Sequence, residues 1–242
     1  MIVPDGRTNN CAHRGASGQA PENTLGAIER ALSLGADMIE IDVRLTADGR
    51  LAVIHDASLE RTTNGNGPVG ACTMAELGGL DAGSWFGAEW ADEHVPELVD
   101  VIDAVRGRAR LNIELKPDDR PEAMLDELLR QLALHDFTQH CVVTSFDADL
   151  IDELKSRAPQ QAAGYIFGPG ALPGWAFSAK VEVLSAERSL VDAAFCEFAT
   201  AADKAVHVWT VDTPADMRHF VDLGVDAVIT NHPERFPARA PR

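Results

Sequence analysis

Positive charge is what this chain has least of: 21 lysines and arginines stand against 38 aspartates and glutamates in 242 residues, a formal net charge of −17 at pH 7. Nucleic acid is therefore an unsuitable partner, because its phosphate backbone is bound through basic surface. The same acidity repels an anionic substrate at long range, so any anion binding has to be local. Long apolar runs are missing too. None approaches the roughly 18 residues of a membrane span. Residues Met1 to Asn10 hold no apolar stretch of signal-peptide length, which points to a soluble cytoplasmic protein without stable membrane association. Cysteine is sparse and scattered, at positions 11, 72, 141 and 196, so reduced thiols on buried elements are expected rather than a disulfide framework. Internal repeats, low-complexity tracts and interdomain linkers are absent as well.

What the chain does have is alternation. Apolar runs rich in Val and Ile read as strands at about 9–13, 38–45, 110–115, 141–145, 162–167, 180–185, 205–210 and 225–230. Between most of them lie stretches of helical period: Glu22 to Leu34, Leu98 to Arg106, Pro121 to Leu134, Ala148 to Ser156, Ala186 to Ala201 and Pro214 to Leu223. Prolines in the first turn at Pro121 and Pro214 mark helix starts, and Pro159 stops another. Eight strands with helical crossovers predict an α/β fold, a (β/α)8 TIM barrel in a single domain over 1–242, with its chemistry at the strand C-terminal ends. The segment from about 57 to 96 has no sustained period and is too long for an ordinary loop, so we expect a small cap over the mouth.

Acids interrupt two of these strands. In Met38-Ile39-Glu40-Ile41-Asp42-Val43, Glu40 and Asp42 share one face while Ile39, Ile41 and Val43 take the other. Two carboxylates at close range on a covered strand both stay ionised only if a cation lies between them. Leu111-Asn112-Ile113-Glu114-Leu115-Lys116 repeats the pattern, with Asn112, Glu114 and Lys116 on one face. Two histidines end apolar runs: His13, followed by Arg14 and Gly15, and His55, followed by Asp56. The Asp48-Gly49 turn predicts a hairpin that returns His55 to about position 40 to 42. The remaining histidines, at 94, 135, 140, 207, 219 and 232, read as structural, and Cys11 as interior filler without a mark of activation.

Taken in order, His13-Arg14-Gly15, Pro21-Glu22-Asn23-Thr24, Glu40-x-Asp42, His55-Asp56, Arg61-Thr62-Thr63-Asn64-Gly65, Gly83-Ser84-Trp85-Phe86, Glu114-x-Lys116, Trp209-Thr210-Val211 and the Gly224 to Thr230 ending form a highly specific set. It resembles the glycerophosphodiester phosphodiesterase family, of the phospholipase C-like phosphodiesterase barrels, over about residues 11 to 236. The resemblance implies hydrolysis of glycerophosphodiesters to sn-glycerol 3-phosphate and an alcohol with one divalent cation. Carried over by motif, Glu40, Asp42 and Glu114 match the metal ligands, His13 and His55 the acid and base, Arg14 and Lys116 the phosphate contacts, and 57–96 the cap. One departure is Asn231, where members often have Asp; it bears on local structure at the barrel end.

The residue types make chemical sense of that expectation. Carboxylates without a soft ligand nearby suit a hard cation, Mg²⁺ or Ca²⁺. Arg14 offers a planar fork and Lys116 a point charge to phosphoryl oxygens, although Lys116 could equally pair with Glu114 at the rim. Two histidines can divide the proton work. Trp209 reads as core packing or an aromatic wall for a glycerol moiety. Glu22 and Asn23 read as caps of the first helix, as a buttress for Arg14, or as substrate contacts.

Overall fold

Strands that alternate inward and outward side chains, each joined to the next by a helix, can satisfy every backbone group by closing on themselves. The chain does this in the computed structural model, in which residues 7–170 and 173–237 are described. The strands are β1 (Asn9–His13), β2 (Met38–Leu45), β3 (Leu51–Val53), β4 (Arg110–Leu115), β5 (Cys141–Ser145), β6 (Ala163–Phe167), β7 (Val183–Glu187), β8 (Ala205–Trp209) and β9 (Ala227–Thr230). All but β3 are parallel. They run β1-β9-β8-β7-β6-β5-β4-β2, and the β1–β2 pairing closes the ring into a (β/α)8 barrel.

Outside lie α1 (Leu25–Ser33), α3 (Leu98–Val105), α4 (Pro121–Leu134), α5 (Ala148–Arg157), α6 (Ala193–Ala201) and α7 (Pro214–Leu223), with the single turn α2 (Met74–Leu77) between β3 and α3. Outward residues such as Ile39, Ile41, Val43, Leu111 and Ile113 bury against Ile28, Val101 and Leu125 of those helices. Removing one such side chain, as in Ile113→Ala, costs about 2–5 kcal/mol. The inward residues fill the barrel instead, with Cys11, Met38, Ala227 and Ile229 in one group and Val142, Val183 and Ala205 in another.

Helix and strand starts differ from the periodicity where a side chain competes for the backbone. The first helix begins at Leu25 rather than Glu22, because Thr24 is the N-cap and accepts from the Ala27 N–H. The helix expected from Ala186 starts at Ala193: Glu187 first accepts from Ser189 N–H in a 3-10 turn, and Asp192 then caps Phe195. The strand expected at 180–185 lies at Val183–Glu187.

The Asp-Gly turn forms as expected, and β3 pairs antiparallel with β2, Val43 with Val53 and Leu45 with Leu51. At Val43 the other edge of β2 is already taken by Leu115 of β4. So β3 must continue the edge that β1 leaves at Glu40. That carries the chain after β3 above the end of β1, with the Ile54 N–H donating to the Asp42 carbonyl, which is how His55 comes to line the same cavity as His13. The segment that follows packs Leu59, Val69, Leu77, Ala82 and Val95 against Ala52 of β3 and the adjacent Ile54. Gly83 is required there, since a Cβ would lie 1.8 Å from the Trp90 carbonyl oxygen. No helix among the described residues is long and apolar enough to cross a membrane.

Candidate active site

Register brings the acids together. His13 lies beside Glu40, Glu40 beside Asn112 and Asp42 beside Glu114 on three adjacent strands. One oxygen from each of Glu40, Asp42 and Glu114 lies within 4.8 Å of the others, and all three residues are buried. Lys116 Nζ sits 2.9 Å from Asp42 Oδ1 and also contacts Glu114 Oε1, so the pairing with Glu114 is made and Asp42 shares it. Arg14 Nε lies 3.2 Å from Asp42 Oδ2, and its main-chain N–H donates to Glu40 Oε2 at 2.9 Å. Three carboxylates thus face two cations.

The imbalance shows in their proton affinities. Burial works to raise Asp42, but Lys116 and Arg14 outweigh it and hold its carboxyl below the usual range. Glu40 is pushed well above that range by burial, then by Asp42 and Glu114, and Glu114 is raised by burial and by Asp42. Glu40 Oε1 is buried with no hydrogen-bond partner. An all-oxygen set in which Glu40 Oε1 and Asp42 Oδ1 both lack a hydrogen-bond partner, Asp42 Oδ1 having only its ion pair with Lys116, and in which one negative charge is left uncompensated, fits a hard divalent cation. Cys11 supplies no alternative ligand or nucleophile, since burial, then Glu40, keeps its thiol protonated.

Each histidine is held through Nδ1, by different partners. His13 Nδ1 lies 2.7 Å from Asn231 Oδ1. Asn231 Nδ2 donates to Asp212 Oδ2 at 2.8 Å, which turns its carbonyl oxygen toward the ring. His13 is then the Nδ1–H tautomer with a bare Nε2, 3.8 Å from Glu40 Oε2. Burial, then Arg14, lowers its pKa to about 4. His55 Nδ1 lies 2.6 Å from Asp56 Oδ1. Burial lowers His55 as well, against the pull of Asp42 and Asp56.

The Pro-Glu-Asn-Thr segment braces these groups. Glu22 Oε1 accepts from Arg14 Nη1 at 2.7 Å, and Asn23 Nδ2 donates to Asp42 Oδ2 at 2.8 Å. Both residues contact the charged cluster, and the capping role belongs to Thr24. Arg14 and Asn23 hold left-handed backbone conformations, φ 56° and 59°, and the Asn23 N–H donates to the Arg14 carbonyl. Gly15, at φ 80°, lets the turn pass α1, where a Cβ would meet the Ala27 backbone at 2.6 Å.

A cavity of about 220 Å³ opens over this cluster. His13, Arg14, Glu40, His55, Glu114 and Lys116 line it together with the apolar side chains of Phe146, Ile166, Trp209 and Ile229. Trp209 meets Phe146 edge to face, centroids 5.7 Å apart. Glu22, Asn23 and Asp42 stand behind the lining. Sequence reading missed the contacts of Asn231, Asp56 and Arg61. Asn231 had a usable signal: Ala12 registers with Thr230, so residue 231 falls beside His13 once the barrel closes.

Comparison with known proteins agrees over nearly the whole chain. Residues 13–235 match the model of the Glycerophosphoryl diester phosphodiesterase family. A glycerophosphodiester phosphodiesterase of Caldanaerobacter subterraneus subsp. tengcongensis is 36% identical over 228 residues, covering 92% of this chain and 93% of that one. Among solved structures, a phosphodiesterase of Oleispira antarctica in complex with the product sn-glycerol-3-phosphate superposes with a TM-score of 0.86 at 32% identity, over 93% of each chain. A glycerophosphodiester phosphodiesterase of Agrobacterium tumefaciens gives 0.84 at 32%, over 95% of this chain and 98% of the other. The barrel, the ordered motifs and these relatives place the chain in one group: it belongs to the glycerophosphoryl diester phosphodiesterase family.

Proposed function

We propose that the chain hydrolyses glycerophosphodiesters to sn-glycerol 3-phosphate and an alcohol, with one divalent cation, Mg²⁺ or Ca²⁺, held by Glu40, Asp42 and Glu114. The observation that carries this reading is the convergence of three buried acids, with an imidazole on either flank, beneath one cavity. The Oleispira antarctica relative, captured with sn-glycerol-3-phosphate, supports the same product here.

A phosphodiester is a stable monoanion with a poor leaving group, so its charge must be neutralised and protons must move at both ends. What a bound cation supplies is positive charge against the phosphoryl oxygens. Arg14 and Lys116 line the cavity and offer further donors to those oxygens. His13, neutral at pH 7 with Nε2 free, accepts the proton of the attacking hydroxyl or water. His55, whose imidazolium is the one backed by a carboxylate, donates to the leaving alkoxide. Trp209 and Phe146 form an apolar wall for the glycerol carbons. Glu22 and Asn23 hold Arg14 and Asp42 in place from behind. The 57–96 segment serves as the cap of a single domain over 1–242. The acidity of the chain suits a small diester better than a nucleic acid or an anionic membrane surface.

The test is a panel of glycerophosphodiesters, glycerophosphocholine among them, assayed after EDTA treatment and again with Mg²⁺, Ca²⁺, Mn²⁺ or Zn²⁺. Glycerol 3-phosphate release should vanish on chelation and return with a hard cation. Undiminished turnover in excess EDTA overturns the metal role.

A further inference from the structure

We propose that Arg61 is a positioning residue that clasps both sides of the mouth, fixing Asp56 against His55 and Glu22 against Arg14 with one guanidinium. The proposal rests on the roles given above to His55 and Arg14. Arg61 belongs to the Arg-Thr-Thr-Asn-Gly stretch, which the chemistry so far leaves unused.

Its five N–H donors meet two carboxylates at once. Nη1 and Nη2 donate to Glu22 Oε2 and Oε1, both at 2.8 Å. Nε donates to Asp56 Oδ2 at 2.6 Å and Nη2 to Asp56 Oδ1 at 3.0 Å. Asp56 Oδ1 is also the atom on His55 Nδ1, and Glu22 Oε1 the atom on Arg14 Nη1. An unbroken line of contacts therefore runs from His55 through Asp56, Arg61 and Glu22 to Arg14, and on to Asp42.

The clasp stands on folded ground. Leu59 and Thr62 are buried on either side of Arg61, and the Thr63 N–H and Oγ1 both bond the Leu59 carbonyl. The Arg61 side chain itself is 44% exposed. Exposed ion pairs add little to stability, so the function of this one is geometric. Without it Asp56 and Glu22 each lose two of their donors, and the Asp56 carboxylate is free to turn away from the ring. Lysine cannot replace it, since a single ammonium does not span two carboxylates in bidentate fashion.

The experiment labels histidine with ¹⁵N and reads the ring of His55, assigned by its disappearance in H55A, in protein free of metal and substrate. At a pH where the ring is neutral, the wild type should show a single Nδ1-protonated pattern. R61Q should show exchange between the Nδ1–H and Nε2–H tautomers, with kcat on glycerophosphocholine lowered about 10- to 100-fold. R61K should fail to restore either, and it keeps the charge if the neutral variant folds poorly. An unchanged ring in R61Q, or wild-type kcat in either variant, overturns the proposal. If the wild-type protein turns over no diester, the functional reading falls, while the ring pattern still decides whether Arg61 governs His55.

Discussion

His13 and His55 arrive at the same cavity from unlike parts of the molecule. His13 ends β1, a strand paired on both sides in the barrel, and meets a neutral amide at Nδ1. His55 follows the short β3, stands at the edge of the 57–96 segment, and meets a carboxylate that is itself held by an arginine. An amide carbonyl fixes a tautomer but adds no charge to favour an imidazolium, whereas a carboxylate does both. One side chain type thus gains two proton affinities from two neighbours. Burial lowers the pKa of both rings, and only at His55 does a carboxylate hydrogen-bonded to the ring oppose that fall.

The largest effect expected from this contrast comes from removing each ring. H13A and H55A should each lower kcat on glycerophosphocholine by about 10²- to 10⁴-fold with the fold retained by circular dichroism. A glycerol phosphate ester of p-nitrophenol separates them, because that leaving group needs no proton. H55A should recover to within about tenfold of wild type on this substrate, while H13A stays impaired. Recovery of H13A instead would reverse the assignment.

A third histidine limits the pH range over which the two can be compared. His207 is buried inside the barrel with Nδ1 unpartnered, and burial, then Arg110, lowers its pKa from 6.5 to about 4. Between those values the unfolded chain binds a proton that the folded one refuses, so stability falls as pH falls through that window. The contribution is on the order of 2–3 kcal/mol between pH 7 and pH 4. Urea titrations of wild type and H207Q at both pH values should show the steeper loss in wild type. Equal slopes would mean that His207 is not the proton sink.

How much of this was readable in the chain depends on the distance over which a contact is made. The alternation of Glu40 and Asp42 with Ile39, Ile41 and Val43, and its echo at Glu114, sufficed to point three acids inward, because strand period is local. The Asp48-Gly49 turn sufficed to bring back His55 for the same reason. The boundaries at Leu25 and Ala193 escaped periodicity because capping by Thr24 and Asp192 is decided by single side chains. The Asn231 contact with His13 spans 218 positions and exists only once β1 pairs with β9. Arg61 escaped for a related reason: its partners at 22 and 56 are set by how an irregular segment folds back, and irregular segments have no period to read.

The smallest effect is also the most direct way to erase the contrast. N231D gives His13 a carboxylate like the one behind His55. With the amide, His13 has its pKa lowered to about 4 and remains an available base through mildly acidic pH. A carboxylate at 2.7 Å from Nδ1 raises the ring's proton affinity, commonly by about one to three pK units. The base must be unprotonated to act, so the acid limb of kcat/KM moves to higher pH. At pH 8 the variant should match wild type within about threefold, and at pH 5 it should fall about tenfold below it. The added acid faces Asp212, which loses the amide donor it now has. N231D/D212N restores a donor there and should show the same displaced limb. If neither variant moves the limb, the partner at Nδ1 does not set the protonation of His13, and the two flanks of the site differ in architecture alone.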